Sequence, residues 1–299
     1  MSLFARPLVG LSLTEPDEGV LRYAAMLARK FRWQDVHFLH VAPPDRARDW
    51  DPRPWQEKLQ AEVSRLFDSP TLDCQLTFHA ATGSRLDNIL KTATEQERDL
   101  VVLGHRRMRS GRRSLARRTA MVAPSSVWLV PEGSPPEIRE ILVPTDFSKP
   151  SADSLAVAVQ IARAANLSEL RALHVFFDVS SVRFDEHLDE VLGKEEEQFR
   201  KHQTSVDMTG VTIDPIYHES ARPCQAILRV AERCGSDLIV MNTRGRSQAA
   251  YVLLGSTTSE TMAATTVPVL AVKHYGARMS LLEALRNHHL WDRRDPKTN

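Results

Sequence analysis

Short, almost wholly apolar runs alternate along this chain with longer segments in which apolar residues recur at helical spacing. The short runs end in polar or glycine-containing turns, as in Pro7–Leu11 and Ile141–Thr145, which is typical of buried strands. The longer segments have the period of amphipathic helices. Because continuous apolar strands alternate with helices, the pattern predicts parallel sheets covered by helices on both faces.

The same order of elements occurs twice, which indicates an internal duplication. The clearest match is between residues 99–104 and 237–242, which are similar at almost every position. The predicted strands are Pro7–Leu11, 37–41, 75–79, 99–104 and 127–130 in the first half, and Ile141–Thr145, 170–175, 212–217, 237–242 and 267–272 in the second. We therefore predict an α/β fold of two tandem Rossmann-like domains, each a five-stranded parallel sheet with helices on both faces.

A chain of 299 residues is long enough for two domains of about 130–150 residues each. A stretch rich in proline and glycine at 131–136 has the composition of a linker. We expect a first domain over residues 1–133, a second over 138–275 and a tail over 276–299. In the tail, the apolar series Met279, Leu281, Leu282 and Leu285 predicts a short amphipathic helix.

Composition and charge narrow the classes of function. A net charge of +1 gives no general attraction to nucleic acid or to a membrane surface, and no segment reaches the ~20 apolar residues of a membrane span. Cys74, Cys224 and Cys234 have no CxxC spacing, so we expect reduced thiols in a cytoplasmic protein. His288 and His289 lack further ligand-type neighbours at metal spacing, so we expect no metal site.

The most specific motif follows the apolar residues 238–241. It begins Asn242-Thr243-Arg244-Gly245 and continues, after nine further residues, with Gly255-Ser256-Thr257. Small residues between a strand and a helix let backbone N–H groups approach an anion. Together with ILVPTDFS at 141–148 and DLIVM at 237–241, this loop resembles the universal stress proteins, a family of adenine-nucleotide-binding α/β proteins. The resemblance covers roughly residues 5–131 and 138–274 and is stronger in the second half.

The resemblance implies a nucleotide site in the second half. Nucleotide-binding members carry Gly, two residues, Gly, nine residues, Gly and then Ser or Thr, and here Asn242 stands at the first glycine of that spacing. It further implies that Asp146 hydrogen-bonds the nucleoside and that Pro144, Thr145 and Val175 surround the adenine. The full expected set is Pro144, Thr145, Asp146, Val175, Met241, Asn242, Arg244, Gly245, Arg246, Gly255, Ser256 and Thr257. The expected ligand is ATP, or AMP or ADP, with Mg2+ as a further candidate.

Some of these residues also have purely structural interpretations. An Asp after a strand commonly caps the following helix, and Asp146 could do only that. Ser256 and Thr257 could cap the last helix of the second half without a ligand. Asn tolerates a positive φ better than other non-glycine residues, so Asn242 could keep the turn at some cost to phosphate approach.

The first half lacks most of this motif, and we expect no ATP site there. Ser12 stands where Asp146 stands in the second half, and the loop after Gly104 loses the later glycines of the motif. The segment from Arg106 to Arg118 contains seven arginines. It predicts either a site for an anion or an acidic protein partner, or a solvated loop with salt bridges to the other half. Nucleic acid is disfavoured because aromatic residues are absent from this segment.

The preferred interpretation is a stress-response protein that binds an adenine nucleotide in its second domain and acts as a nucleotide-dependent regulatory or signalling module. It would not be a committed enzyme, and any ATP hydrolysis would be slow and incidental. One alternative is a nucleotide-free interaction scaffold with both sites degenerate. Another is an enzyme such as an adenylyl transferase, for which the sequence offers no additional reactive constellation. The resemblance also implies that 127–130 pairs with 267–272, making the chain a built-in dimer, and we expect the whole chain to form a homodimer.

Overall fold

The structure is a computed structural model that describes residues 3–43, 50–67, 74–105, 115–177, 185–243 and 255–273. Strands and helices alternate throughout this part of the chain. The first half comprises β1 (Pro7–Leu11), α1 (Asp17–Phe31), β2 (Asp35–Ala42), α2 (Arg53–Phe67), β3 (Gln75–Thr82), α3 (Arg85–Glu95), β4 (Leu100–His105), α4 (Leu115–Val122) and β5 (Ser126–Pro131). The second half comprises β6 (Ile141–Thr145), α5 (Lys149–Ala164), β7 (Glu169–Phe176), α6 (Asp185–Gln203), β8 (Thr212–Glu219), α7 (Pro223–Arg233), β9 (Leu238–Asn242), α8 (Ser256–Ala264) and β10 (Val269–Val272).

The described strands form one ten-stranded sheet in the order β3-β2-β1-β4-β5-β10-β9-β6-β7-β8. All pairs within each half are parallel. The halves meet where β5 and β10 pair antiparallel, with Leu270 opposite Trp128. The predicted α/β fold is confirmed, and the pairing implied for the final strands is present. Two five-stranded units thus become one continuous sheet.

Helices cover both faces of this sheet, with α1, α2 and α5 on one face and α3, α4, α7 and α8 on the other. The core on each face continues across the junction of the halves. Trp128 and Leu270 belong to the first core, and Leu129 and Val269 belong to the second. All four are fully buried, so burial of apolar surface joins the halves in addition to the backbone ladder.

One carboxylate in each half fastens neighbouring strands at the same place. Asp99, just before β4, accepts hydrogen bonds from the Arg6 N–H at 3.1 Å. Asp237, just before β9, accepts at 3.2 Å from the N–H of Glu140, which is the counterpart of Arg6, and at 3.0 and 3.1 Å from the Arg139 N–H. Burial raises the pKa of both carboxyls, and the backbone hydrogen bonds oppose that rise. This repeated contact has the same register in both halves, as the duplication of residues 99–104 and 237–242 predicts.

The last strand is shorter than predicted, because β10 begins at Val269 and not at Val267. The Thr265 hydroxyl donates to the Val267 carbonyl at 2.7 Å and accepts from the Val267 N–H at 2.9 Å. Val267 is therefore held in a local turn, and Pro268 has no N–H for a ladder. The predicted tail helix with Met279, Leu281, Leu282 and Leu285 lies outside the described residues.

Candidate functional site

Each half has a topological switch point, which is where ligands bind in open parallel sheets. β1 lies beside β4 in the first half, and β6 lies beside β9 in the second. The β1–β4 ladder continues to the pair Gly10–Leu103, whereas the β6–β9 ladder stops at Leu142–Ile239. Pro144, two residues further along β6, has no N–H to donate. The carboxyl-terminal parts of β6 and β9 are therefore unpaired with each other, at the end where the predicted site lies.

Several predicted site residues fall at this edge of the second half. Asp146 directly follows β6, Val175 lies near the end of β7, and Met241 and Asn242 end β9. The three strands are parallel neighbours, so their carboxyl ends lie along one edge. Met241 is buried in the core on the α7 and α8 face, and Val175 packs against that core. Pro144 is two residues from Leu142 of the same core, so strand alternation places it on that face too.

Asp146 organises the turn between β6 and α5, but it is not the cap of the helix. Its Oδ1 accepts a hydrogen bond from the Ser148 N–H at 3.1 Å. Ser148 is the N-cap, and its Oγ accepts from the Ser151 N–H at 3.3 Å. Asp146 thus stays at the sheet edge, where the resemblance placed it.

The Thr145 side chain points to the opposite face from Pro144 and Val175. Its hydroxyl donates to Ser151 Oγ at 3.0 Å and lies 3.2 Å from His202 Nε2, and it accepts from the Phe147 N–H at 3.2 Å. Burial lowers the pKa of His202, which favours the neutral ring. Sequence reasoning made Thr145 a wall of the adenine site. The Thr145 hydroxyl instead contacts Ser151 of α5 and His202 of α6. Only the backbone of Thr145 therefore remains at the sheet edge where adenine was predicted.

An aromatic stack that sequence reasoning missed lies behind this edge. Phe147 has a φ of 60°, a conformation that bulky side chains seldom adopt, and its ring stacks on His174 with centroids 4.1 Å apart. His174 Nδ1 lies 2.9 Å from the Thr145 carbonyl, and its Nε2 lies 3.3 Å from Glu195. In the first half Leu13 has the equivalent φ of 57°. The strained turn is therefore a property of both copies, but the stack is described in the second.

The start of α8 is tied directly to the end of β9. The Gly255 N–H donates to the Thr243 carbonyl at 2.9 Å, and the Thr258 hydroxyl donates to the Asn242 carbonyl at 2.8 Å. Gly255 is the N-cap and supplies no side-chain cap. Ser256 and Thr257 are inside the helix, so the interpretation of them as its caps is wrong. The first turn of α8 therefore brings N–H groups without a side-chain cap to the sheet edge, the arrangement that favours an anion.

The predicted phosphate loop is described at its two ends, Asn242-Thr243 and Gly255 onward. Arg244, Gly245 and Arg246 lie outside the described residues, as does most of the segment from Arg106 to Arg118. Within the described part of that segment, Arg117 Nε donates to Ser259 Oγ of α8 at 2.5 Å. This arginine contacts the other half by a hydrogen bond to a neutral side chain.

The first half has its own arrangement at the equivalent edge. The Ser12 N–H donates to Asp17 Oδ2 at 2.8 Å, and the Ser12 hydroxyl donates to Asp17 Oδ1 at 3.0 Å. The Thr14 N–H also donates to Asp17, at 3.2 Å. A carboxylate is therefore present near this strand end, although it comes from the first turn of α1. The sequence signal was the acidic first turn of α1, which sequence reasoning did not connect to Ser12.

A cavity of about 530 Å³ opens at this edge of the first half. Gly10, Val41 and Leu103 line it, and strand register makes them the counterparts of Pro144, Val175 and Met241 in the second half. The cavity thus occupies, in the first half, the place where the sequence predicted adenine in the second.

Three other structural results concern candidates from the sequence. None of the helices in the described part of the chain is both long and apolar enough to span a membrane. Among the described residues no three His, Cys, Asp or Glu side chains are grouped as metal ligands would be. Cys74, Cys224 and Cys234 are partly buried and form no disulfide among the described residues, and burial raises the pKa of Cys224.

Comparison with known proteins identifies the family. The model of the universal stress protein family matches residues 4–131 and again residues 137–273. The chain belongs to the universal stress protein family. It is similar to a universal stress protein from Methanocaldococcus jannaschii, with 30% identity over 141 residues that cover 45% of this chain and 82% of the relative. A universal stress protein from Thermus aquaticus is 30% identical over 136 residues, covering 45% of this chain and 98% of the relative.

Solved structures agree with two universal stress protein repeats in one chain. A universal stress protein from Archaeoglobus fulgidus matches with a TM-score of 0.64 at 20% identity, covering 90% of this chain and 96% of that one. A protein of unknown function from Pseudomonas aeruginosa PAO1 matches with a TM-score of 0.67 at 16% identity, covering 97% of each chain. At these identities the likeness concerns the fold, and it spans both halves of this tandem universal stress protein.

Proposed function

We propose that the second half of this universal stress protein binds ATP, or AMP or ADP, and acts as a nucleotide-dependent regulatory or signalling module. The observation that carries the proposal is the start of α8, which has no side-chain cap at Gly255 and is tied by hydrogen bonds to the end of β9. A helix N-terminus at the carboxyl edge of a parallel sheet is a favourable position for phosphate. The same edge carries Asp146, and there β6 and β9 are unpaired with each other.

The proposed contacts follow from these positions. Asp146 accepts hydrogen bonds from the ribose hydroxyls, and Pro144, Val175 and Met241 form apolar walls for the base. The N–H groups of Ser256 and Thr257 in the first turn of α8 bind phosphate.

Arg244, Gly245 and Arg246 complete this phosphate site by their place in the sequence, with Mg2+ as a candidate counter-ion. Asn242 replaces the first glycine of the motif. We expect it to weaken the approach of phosphate, because a side chain replaces the open backbone of glycine.

The proposed role is binding, with any hydrolysis slow and incidental. The Asp146 carboxylate already accepts the Ser148 N–H, which suits it to orient a nucleoside. Nucleotide would act by favouring one conformation or assembly of the protein, in the cytoplasm, including a homodimer of the whole chain. Sedimentation of the full chain with and without ATP tests that assembly.

The binding proposal is tested with the purified full-length protein. Native mass spectrometry should find a retained adenine nucleotide, and calorimetry should measure ATP binding after that nucleotide is removed. Asp146→Ala and Gly245→Val should abolish retention. Ser12→Ala is the matched control, since it changes the equivalent position of the first half, and it should leave retention unchanged.

The opposite results would reject the proposal. If the protein retains no nucleotide and millimolar ATP neither binds nor raises its thermal midpoint, the nucleotide-free interaction scaffold is the better interpretation. If a covalently adenylated product accumulates, the enzyme interpretation is favoured. Retention that survives Asp146→Ala and is lost in Ser12→Ala would move the site to the first half.

A further inference from the structure

The cavity of the first half has the size and lining of a small-molecule site. Its volume of about 530 Å³ lies within the range of roughly 300–1,000 Å³ for ligand pockets. Most of its wall is apolar, including Leu11, Val20, Leu39 and Ile89. All four of these side chains are buried in the core, so the wall belongs to the rigid part of the fold and is formed without a ligand.

One polar residue that lines the cavity has a side chain buried without a described partner. His105, the last residue of β4, lines the cavity and is 5% exposed. Neither Nδ1 nor Nε2 has a hydrogen-bond partner among the described residues. A buried polar group left unpaired is costly, and a neutral imidazole offers one donor and one acceptor. Burial lowers the pKa of His105, so the ring is neutral at physiological pH.

The charges at the cavity favour a neutral ligand over a phosphate. Asp17 and Glu132 are acidic and Arg85 is basic among its lining residues. The Asp17 carboxylate already accepts three hydrogen bonds from Ser12 and Thr14 at 3.2 Å or less. A carboxylate at the strand end repels a phosphate, and after Gly104 no glycine stands at the later glycine positions of the nucleotide motif.

We propose that this cavity binds an uncharged small organic molecule with a mainly apolar body, to which His105 makes the hydrogen bond. The site is independent of the nucleotide proposed for the second half. The first half would then bind another class of ligand at the sheet edge where the second half is proposed to bind nucleotide, although its own nucleotide motif is degraded.

Gly19 gives a direct way to fill the cavity. It lines the cavity from inside α1, and a Cβ at this position would meet no atom within 4 Å. Gly19→Leu should therefore place its Cβ without a clash and reduce the space in the cavity, and replacing a helical glycine favours the helix. Gly193→Leu is the matched control, because Gly193 also lies inside a helix, α6, with nothing within 4 Å of a Cβ.

The probe is Prodan, an uncharged naphthyl ketone whose emission shifts to the blue in apolar surroundings. The full-length protein and Gly193→Leu should bind it saturably, and Gly19→Leu should bind it about tenfold or more weakly. His105→Phe should weaken binding several-fold through the lost hydrogen bond. The same variant should unfold at no lower temperature than the parent, because it removes two unpaired buried polar atoms. Asp146→Ala should bind Prodan as the parent does.

Several results would overturn this assignment. They are absence of saturable binding, equal binding by Gly19→Leu and its control, or displacement of Prodan by ATP. A clear fall in the unfolding temperature of His105→Phe would show that the ring has a structural partner, which also contradicts the proposal. ATP binding is measured separately by calorimetry. A failure of the nucleotide proposal can therefore be told apart from a failure of the proposal for this cavity.

Discussion

Burial of His37 should lower the stability of the protein as the pH falls, and the substitution His37→Gln should remove that pH dependence. The side chain lies on β2 and is 5% exposed. Its Nδ1 lies 2.8 Å from Thr77 Oγ1, and its Nε2 is buried without a hydrogen-bond partner among the described residues. Burial, followed by the charges of Arg98 and His79, lowers the pKa of His37 from 6.5 to about 4.

The sign and size of the effect follow from proton linkage. Between pH 6.5 and about pH 4 the unfolded chain binds a proton at His37 that the folded protein does not. The unfolded state therefore binds more protons, and the free energy of unfolding falls as the pH falls through this window. From about pH 7 to about pH 5 the loss is roughly 2 kcal/mol, and it approaches about 3 kcal/mol at still lower pH.

The measurement is urea unfolding of the parent and of His37→Gln at a series of pH values, followed by circular dichroism. Glutamine keeps a hydrogen-bonding group for Thr77 and does not titrate, and the other histidines are common to both proteins. The difference in unfolding free energy between the two should therefore change by roughly 2 kcal/mol over this range. His218→Gln, at a partly exposed position on β8, controls for loss of a histidine away from His37. Parallel pH curves for the parent and His37→Gln would refute the reasoning.

Three further predictions concern the junction and the two strand-end turns. Leu270→Ala, at a fully buried site opposite Trp128, should lower the unfolding free energy by about 2–5 kcal/mol. It should do so in a single transition for both halves, and separate transitions in urea would contradict a shared core. Ser148→Ala removes the N-cap of α5 and should cost about 1 kcal/mol by the same assay, whereas no loss would show that the Asp146 turn suffices. Ser12→Asp should destabilise the protein by about 1–2 kcal/mol through repulsion with Asp17 and should create no ATP binding in the first half by calorimetry.

Much of the fold could be predicted because a strand buried on both faces leaves a continuous apolar run. Residues 238–241 form such a run, and all four are buried. The start of β10 was less predictable, since Val267 continues the apolar pattern but its backbone N–H and carbonyl are hydrogen-bonded to the Thr265 hydroxyl. The pairing of β5 with β10 came from the family resemblance, because two apolar strands alone do not specify which edges meet.

The site could be predicted only as a set of positions. Strand ends place Asp146 and Asn242 at one edge whatever their side chains do. The Thr145 hydroxyl contacts Ser151, six residues away, and His202, which is 57 residues away in the sequence, and no local pattern contains the second of these partners. The cavity likewise depends on packing between elements, since Gly10 and Leu103 line it together from two strands.

The two halves differ less in whether they have a carboxylate than in where it stands. Because Ser12 stands at the position equivalent to Asp146, the sequence suggests that the first half lost its acidic group. However, Asp17, five residues later in the helix, places a carboxylate near the same strand end. It accepts hydrogen bonds from the N–H and the hydroxyl of Ser12. In the second half Ser151 occupies the position that corresponds to Asp17, and its hydroxyl accepts a hydrogen bond from the Thr145 hydroxyl. A carboxylate that satisfies its own turn is a poor acceptor for a nucleoside, because its lone pairs are already engaged. In the second half the carboxylate is on Asp146, the residue directly after the strand, so the position of the acidic group, together with the motif, makes the second half the better candidate for nucleotide.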